Sequence, residues 1–235
     1  MADGDVARMI VGARHHRVSW VPHEPSAVLS LLPEGTRAHP DRHVFAVQYV
    51  VDSAAQTSGL DAHSAALVGV ELDIAGPDGP MHAGLVTHVV ASTPAAQRFY
   101  AGLGCHVTAG RTTVSVRQGV VTAETRCDDV TVLHAGSRVG APTVYETAHH
   151  DHVVTPGGRP IVATLPWIAT VADPWVPLVV DMPDPSHPAA PLQPGRDPQI
   201  VDGSYSPNAA WCWPQIIVAG EAAHRVPSYP APFSS

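Results

Sequence analysis

Short apolar runs broken by glycine, proline and acidic residues recur along the chain. "HVFAVQYVV" (43–51), "ALVGVELDI" (66–74), "TTVSVRQGVVTAET" (112–125) and "VTVLHAGSRVG" (130–140) are rich in β-branched residues. In the third run Val114 and Val116 alternate with Thr113, Ser115 and Arg117, the two-residue period of a strand buried on one face. "RQG" (117–119) and "CDD" (127–129) are turn residues between such runs. The pattern predicts an antiparallel meander through the middle of the chain. Helical spacing occurs twice. "EPSAVLSLLPEG" (24–35) has Ser26 as a candidate cap and stops at Pro33, and "STPAAQRFYAGLG" (92–104) has Ser92 or Thr93 as cap, Pro94 in its first turn and Gly102 or Gly104 at its end. The segment 181–198 is irregular and rich in proline. "QIVDGSYS" and "CWPQIIVAGE" read as strands on either side of a turn at Pro207-Asn208. So many strands would leave exposed edges unless the sheet closed. The expected fold is therefore mainly β (α+β), an antiparallel barrel with a few short helices, in one domain over 1–235 with a proline-rich tail from about residue 222.

Composition then removes several kinds of function. Hydrophobic residues make up 45% of the 235, enough for a sizeable core. A formal charge of -8 argues against a nucleic-acid partner, because phosphate contacts need a basic face. The longest apolar stretch, 161–180, is interrupted by Pro166, Asp173, Pro174 and Pro177, which argues against a membrane helix. Cys105, Cys127 and Cys212 are odd in number and widely spaced, so no disulfide framework is expected. "MADGDVARM" has no apolar signal core. A soluble, cytoplasmic protein without membrane or nucleic-acid partners is the expectation. All 13 cationic residues are arginine and none is lysine, which excludes any lysine nucleophile, base or Schiff base.

Candidate chemistry is scattered. His63 and His88 lie in segments that should line the interior, and Trp211 and Trp213 alternate with Cys212, placing both rings on one strand face. These four are candidate substrate-binding residues around an apolar pocket. "HHDH" (149–152) and His15-His16 are consecutive runs without ligand spacing, and "HHDH" is expected to be a solvated loop. No metal or cofactor is expected.

Four stretches, in order, resemble the acetoacetate decarboxylase-like family: "LLPEG" (31–35) some distance after Arg14, "SGLDAHSAALVGVEL" (58–72), "AAQRFYAGLGCHVTAG" (95–110) and "SHPAAPLQPGRDPQIVDGSYS" (186–206). The resemblance implies an antiparallel barrel or cone, a homo-oligomer and a small-molecule substrate. It places the family's catalytic turn on "GLGCHVTA" (102–109), with Cys105 where the Schiff-base lysine stands, His106 at the neighbouring lysine, the pocket glutamates near Ala46 and Ala65, and the family's arginines at Arg14 and Arg98. A divergent member without an imine is implied. The expected activity is that of a cofactor-independent lyase, isomerase or cyclase on a carbonyl-bearing, polyketide-like metabolite in specialised bacterial biosynthesis. His106 would transfer the proton, Arg14 or Arg98 would hold the anion, and Cys105 is a candidate nucleophile. Two alternatives stand beside it. "VTHVVASTPAAQRFYAGLGCHVT" (86–108) also resembles a vicinal oxygen chelate metalloenzyme with His88 and Glu124 as ligands, and the same barrel could be a non-catalytic small-molecule binding protein.

Overall fold

The computed structural model describes residues 7–76 and 79–214. The expected strand over 215–221 and the tail from 222 lie outside them. Eleven strands carry most of the chain: β1 (Arg8–Trp20), β2 (Arg37–Ala38), β3 (Val44–Val51), β4 (His63–Gly76), β5 (Gly79–Ala91), β6 (His106–Ala109), β7 (Arg111–Arg117), β8 (Val120–Cys127), β9 (Val130–Val154), β10 (Ile161–Asp181) and β11 (Ile200–Trp213). The one α-helix among the described residues, α1, spans Pro94–Gly102.

Antiparallel pairing runs β5-β4-β3-β1-β11-β10-β9. The far end of β9 then meets β5 through the parallel pairs Gly84↔His152 and Leu85↔Val153, so the sheet returns on itself. β8 and β7 continue from the first half of β9, and β6 pairs parallel to β5. The length of β9 and β10 lets one hairpin serve both the returning sheet and the extra layer. Both faces of β1 and β3 are therefore largely buried, whereas the second half of β9 and much of β10 are exposed on the outside. Alternation along β1 divides its side chains: His15 and Arg17 face inward, whereas His16 meets Ser137 of β9 (Nε2 to Oγ, 3.1 Å). The inner cluster includes Tyr49, Leu67, Val89, Trp211 and Trp213. The outer one packs Trp20, Val70 and Leu72 against Leu133, Val180 and Leu192.

The turns of the meander follow their residues. Gln118 and Gly119 both take positive φ (51° and 74°) in the β7–β8 hairpin, and Asp128 (φ 51°) does so between β8 and β9. Two other expectations change. The "HHDH" run is strand, the second half of β9, paired with β10 from Thr164↔Asp151 to Pro166↔His149. Tertiary pairing overrides the polar composition that reads locally as a loop. Pro207-Asn208 is no turn but part of β11, at a register shift between Ala13↔Ala209 and His15↔Ser206. The irregularity accommodates the missing N–H. The segment 24–35 forms a seven-residue 3-10 helix, Pro25–Leu31, with Glu24 rather than Ser26 at its N-cap position. Prolines at 25 and 33 leave too short a run to nucleate an α-helix.

The helix α1 explains "GLGC". Thr93 Oγ1 accepts from the Ala96 N–H (3.3 Å) at its start. At its end the Cys105 N–H donates to the Tyr100 carbonyl (3.2 Å) and the Gly104 N–H to that of Ala101 (3.0 Å), the double closure of a Schellman cap. Gly104 sits at φ +90°, and a Cβ there would lie 2.3 Å from Thr155 Oγ1 and 2.4 Å from its carbonyl oxygen. Gly104→Ala is expected to cost about 3 kcal/mol through strain and overpacking. A urea midpoint unchanged from the parent would show that the turn relaxes freely.

Candidate active site

The inward faces of β1, β3, β4, β5, β9, β10 and β11 line a cavity of about 940 Å³. Its apolar wall is aromatic. Trp167 and Trp211 occupy facing positions on β10 and β11 and stack with centroids 5.6 Å apart. Tyr49 meets Trp211 edge-on at 5.0 Å, and Phe45 (6.3 Å) and Trp213 (5.4 Å) both pack against His152.

Histidines interrupt this wall. His15 is 5% exposed and lies edge-on to Trp167 (4.6 Å) and Trp211 (5.8 Å). Burial, then the neighbouring His16, His150 and Arg17 charges, lower its pKa to about 3. Burial and the same neighbours, His150 and Arg17, lower His152 to about 3. His150 lies edge-on to Trp167 at 5.4 Å, and its pKa is lowered by partial burial and by Arg17. All three are neutral imidazoles near pH 7.

Arg17 supplies the cavity's positive charge. Its Nη1 donates to Asp202 (2.5 Å) and its Nη2 to Glu71 (3.1 Å). Asp202 lies on β11 beside the Arg17 partner Ser204, and Glu71 lies on β4 beyond β3, so three strands fix one guanidinium. Glu71 also bonds His43 through Oε2 to Nδ1 (3.1 Å). Behind the wall, His63 Nδ1–H donates to the Asp61 carbonyl (2.9 Å), which leaves Nε2 to accept from the Tyr49 hydroxyl (2.8 Å). Tyr49 in turn accepts from Tyr100 (2.7 Å). This chain of bonds locks the Tyr49 ring against the cavity.

The residues singled out in the sequence are divided by this geometry. Trp211 and Trp213 line the cavity, and His63 backs it through Tyr49. His106 is exposed on β6, away from the cavity lining, with His88 5.6 Å from it, edge-on, on the neighbouring strand. His88 is buried on the far side of the sheet, lowered to about 4 by burial and then by His106 and His187. Cys105 is core: its thiol donates to the Val86 carbonyl (3.5 Å), and burial pushes its pKa up to about 12, so no thiolate forms there near neutrality. Arg14 faces away from the cavity and pairs with Asp52 (2.9 Å), and Arg98 lies on the exposed side of α1. The turn mapped as catalytic is thus the cap of a helix. Ala46 and Ala65 are buried apolar positions, and the inward carboxylate of that region is Glu71.

No family model matches the sequence, and no curated protein matches it. Solved structures do match in shape. An acetoacetate decarboxylase superposes with a TM-score of 0.67 at 13% identity, covering 89% of this chain and 88% of that one. The fold is that of acetoacetate decarboxylase. The acetoacetate decarboxylase from Legionella pneumophila gives 0.63 at 10% identity over 89% and 86% of the two chains. The enduracididine biosynthesis enzyme MppR, complexed with the condensation product of pyruvate and imidazole 4-carboxaldehyde, gives 0.55 at 10% identity over 88% and 85%. An acetoacetate decarboxylase fold replaces the vicinal oxygen chelate alternative. His88 and Glu124 do not converge: Glu124 accepts from Thr131 (2.8 Å) on the β8–β9 hairpin, and neither residue belongs to a metal-competent cluster among the described residues. No helix of the described residues is long and apolar enough to cross a membrane.

Sequence reasoning missed Arg17, Glu71 and His150. Their signals were present: a polar row His15-Arg17-Ser19 at strand spacing, and a lone glutamate in the apolar "ALVGVELDI".

Proposed function

We propose that this chain is an enzyme that takes a small carbonyl-bearing substrate into the tryptophan-walled cavity and moves a proton at the carbon beside the carbonyl. The reaction would be of lyase, isomerase or cyclase type and would form no imine with a side chain, since the chain has no lysine. The observation that carries this reading is Arg17, a fixed guanidinium inside the cavity beside neutral histidines. Two of its five N–H groups are used by Asp202 and Glu71, and the others remain to meet a substrate oxygen. The two carboxylates offset its charge and hold it still, which suits a carbonyl oxygen that gains charge only as an enolate develops.

His150 is the proposed base. It reaches the same space from the β9 wall, and its neutral form has a lone pair to accept the α-proton. Arg17 disfavours the imidazolium in the free protein. The negative charge of a bound enolate or carboxylate offsets that repulsion and raises the basicity of His150 when substrate is present. The imidazolium can then return the proton elsewhere on the substrate (isomerisation), protonate a β-leaving hydroxyl (dehydration), or protonate the alkoxide formed when the enolate attacks an internal carbonyl (cyclisation). Oxo acids of the pyruvate type are the first substrates to try, because MppR has been captured with a pyruvate condensation product in this fold. A place in specialised biosynthesis rests on that fold analogy.

The test is proton NMR in deuterated buffer with pyruvate and longer 2-oxo and β-keto acids, alongside quenching of tryptophan fluorescence. Catalysed exchange of the α-protons supports the reading. Saturable quenching with no exchange for any compound would make the cavity a binding site and nothing more.

A further inference from the structure

We propose that the turn His39-Pro40-Asp41-Arg42-His43, at the rim of the same cavity, is a binding site for one divalent first-row transition metal ion, with the two imidazoles and the Asp41 carboxylate as ligands and Glu71 as the group that orients His43. The proposal stands apart from the proton-transfer reading and is tested without turnover.

One ligand atom from each of His39, Asp41 and His43 lies within 4.8 Å of the other two. Asp41 Oδ2 is 3.9 Å from His39 Nδ1 and 3.9 Å from His43 Nε2. Those separations are too long for hydrogen bonds and suit an ion between the groups. A metal with bonds of about 2.0–2.2 Å in tetrahedral geometry holds its ligands roughly 3.4 Å apart, so a small movement closes the set. The mobile partner is Asp41, whose side chain is 69% exposed. The two imidazoles are already stacked, centroids 5.0 Å apart and 26° from parallel.

The lone pairs are directed. Glu71 Oε2 takes the Nδ1 proton of His43 (3.1 Å), which leaves the lone pair on Nε2, the atom facing Asp41. A carboxylate behind a ligating histidine is the arrangement that fixes tautomer and ring orientation in metal sites. Nδ1 of His39 accepts from the Asp41 N–H (3.3 Å), a long bond that the ion would replace, and the same atom lies 3.9 Å from Asp41 Oδ2. The backbone beneath is tied down. The Arg42 N–H closes the turn on the His39 carbonyl (2.8 Å), the His39 N–H donates to the Glu71 carbonyl and the Glu71 N–H to that of His43, both at 2.9 Å. Pro40 presets the second turn position, and Arg42 holds a positive φ of 53°. Imidazole with carboxylate selects Zn²⁺, Co²⁺, Ni²⁺ or Fe²⁺ over Ca²⁺ and Mg²⁺. Three protein ligands leave a coordination position open, and both imidazoles line the cavity.

The experiment titrates the chelator-treated full chain with Co²⁺, read by its visible d–d absorption, followed by displacement with Zn²⁺. One equivalent is expected to bind. His43→Gln and Asp41→Asn are each expected to weaken binding by about 100-fold or more, and Glu71→Gln by about 10–100-fold with stoichiometry retained. His106→Gln, at an exposed histidine elsewhere, should leave the spectrum unchanged. Far-UV circular dichroism checks each variant, and the exposed Asp41 keeps the test decisive if His43→Gln does not fold. Absence of a saturable first equivalent, or a Co²⁺ spectrum that survives both Asp41→Asn and His43→Gln, overturns the proposal.

Discussion

Arg17→Met is expected to lower kcat/KM for the cavity's substrate by about 10²–10³-fold, the cost of deleting one positioned donor from a developing oxyanion. The fold should hardly notice. Arg17 is a quarter exposed and Asp202 more so, so their ion pairs contribute about 1 kcal/mol or less to stability. Loss of activity with an almost unchanged urea midpoint is therefore the specific signature. Arg14→Met is the internal control, since Arg14 sits three residues away on the opposite face of the same strand and pairs with Asp52. Arg17→Lys retains charge, but an ammonium lacks the planar fork that spans Glu71 and Asp202, and it should recover little of the rate. A loss confined to KM would mean that Arg17 grips the ground state and the transition state alike. Equal losses in Arg14→Met and Arg17→Met would sink the assignment.

The contrast between those two arginines shows what the sequence could and could not disclose. The mainly β character, the helix over 92–104 and the hairpin turns at Gln118-Gly119 and Asp128 follow from local alternation and turn chemistry, and all are found. Parity puts Arg14 and Arg17 on opposite faces of the strand over 8–20, but both faces carry buried positions there, so the pattern does not tell which face meets the cavity. The site itself joins positions 17, 71, 150 and 202, which meet only because β9 returns to β5 and β11 lies beside β1. Local patterns carry no information on such pairings. The "GLGCHVTA" stretch failed for a different reason. Gly104 is required by the helix cap and by close approach to Thr155, so the stretch has a structural explanation that competes with the catalytic one. At 13% identity the shape is shared, but a residue-by-residue transfer is not supported.

Stability is expected to fall steeply as pH drops from about 6.5 toward 4, before most carboxylates titrate. His15, His16 and His88 are all more than nine-tenths buried, with pKa values lowered to about 3, 4 and 4, chiefly by burial. In the unfolded chain each returns to about 6.5. Between those values the unfolded state binds more protons than the folded state, so stability rises with pH across this window. It is fully present above about pH 6.5 and is lost as pH falls through the folded-state values. At pH 5 each such histidine contributes about 2 kcal/mol of destabilisation relative to pH 7. Three together remove about 6 kcal/mol, a large share of the roughly 5–15 kcal/mol that holds a domain folded. Urea midpoints measured at half-unit steps from pH 7.5 to 4.5 should decline throughout, with a slope near pH 5 that reports uptake of at least three protons on unfolding, because His152, also lowered to about 3, adds to these three. His16→Gln and His88→Gln should each flatten the slope by about one proton, whatever they do to the midpoint at pH 7. A midpoint that stays level down to pH 4.5 would mean that these rings are hydrated and protonate in place. The neutral state of His15, the cavity-lining member of the three, would then have to be abandoned.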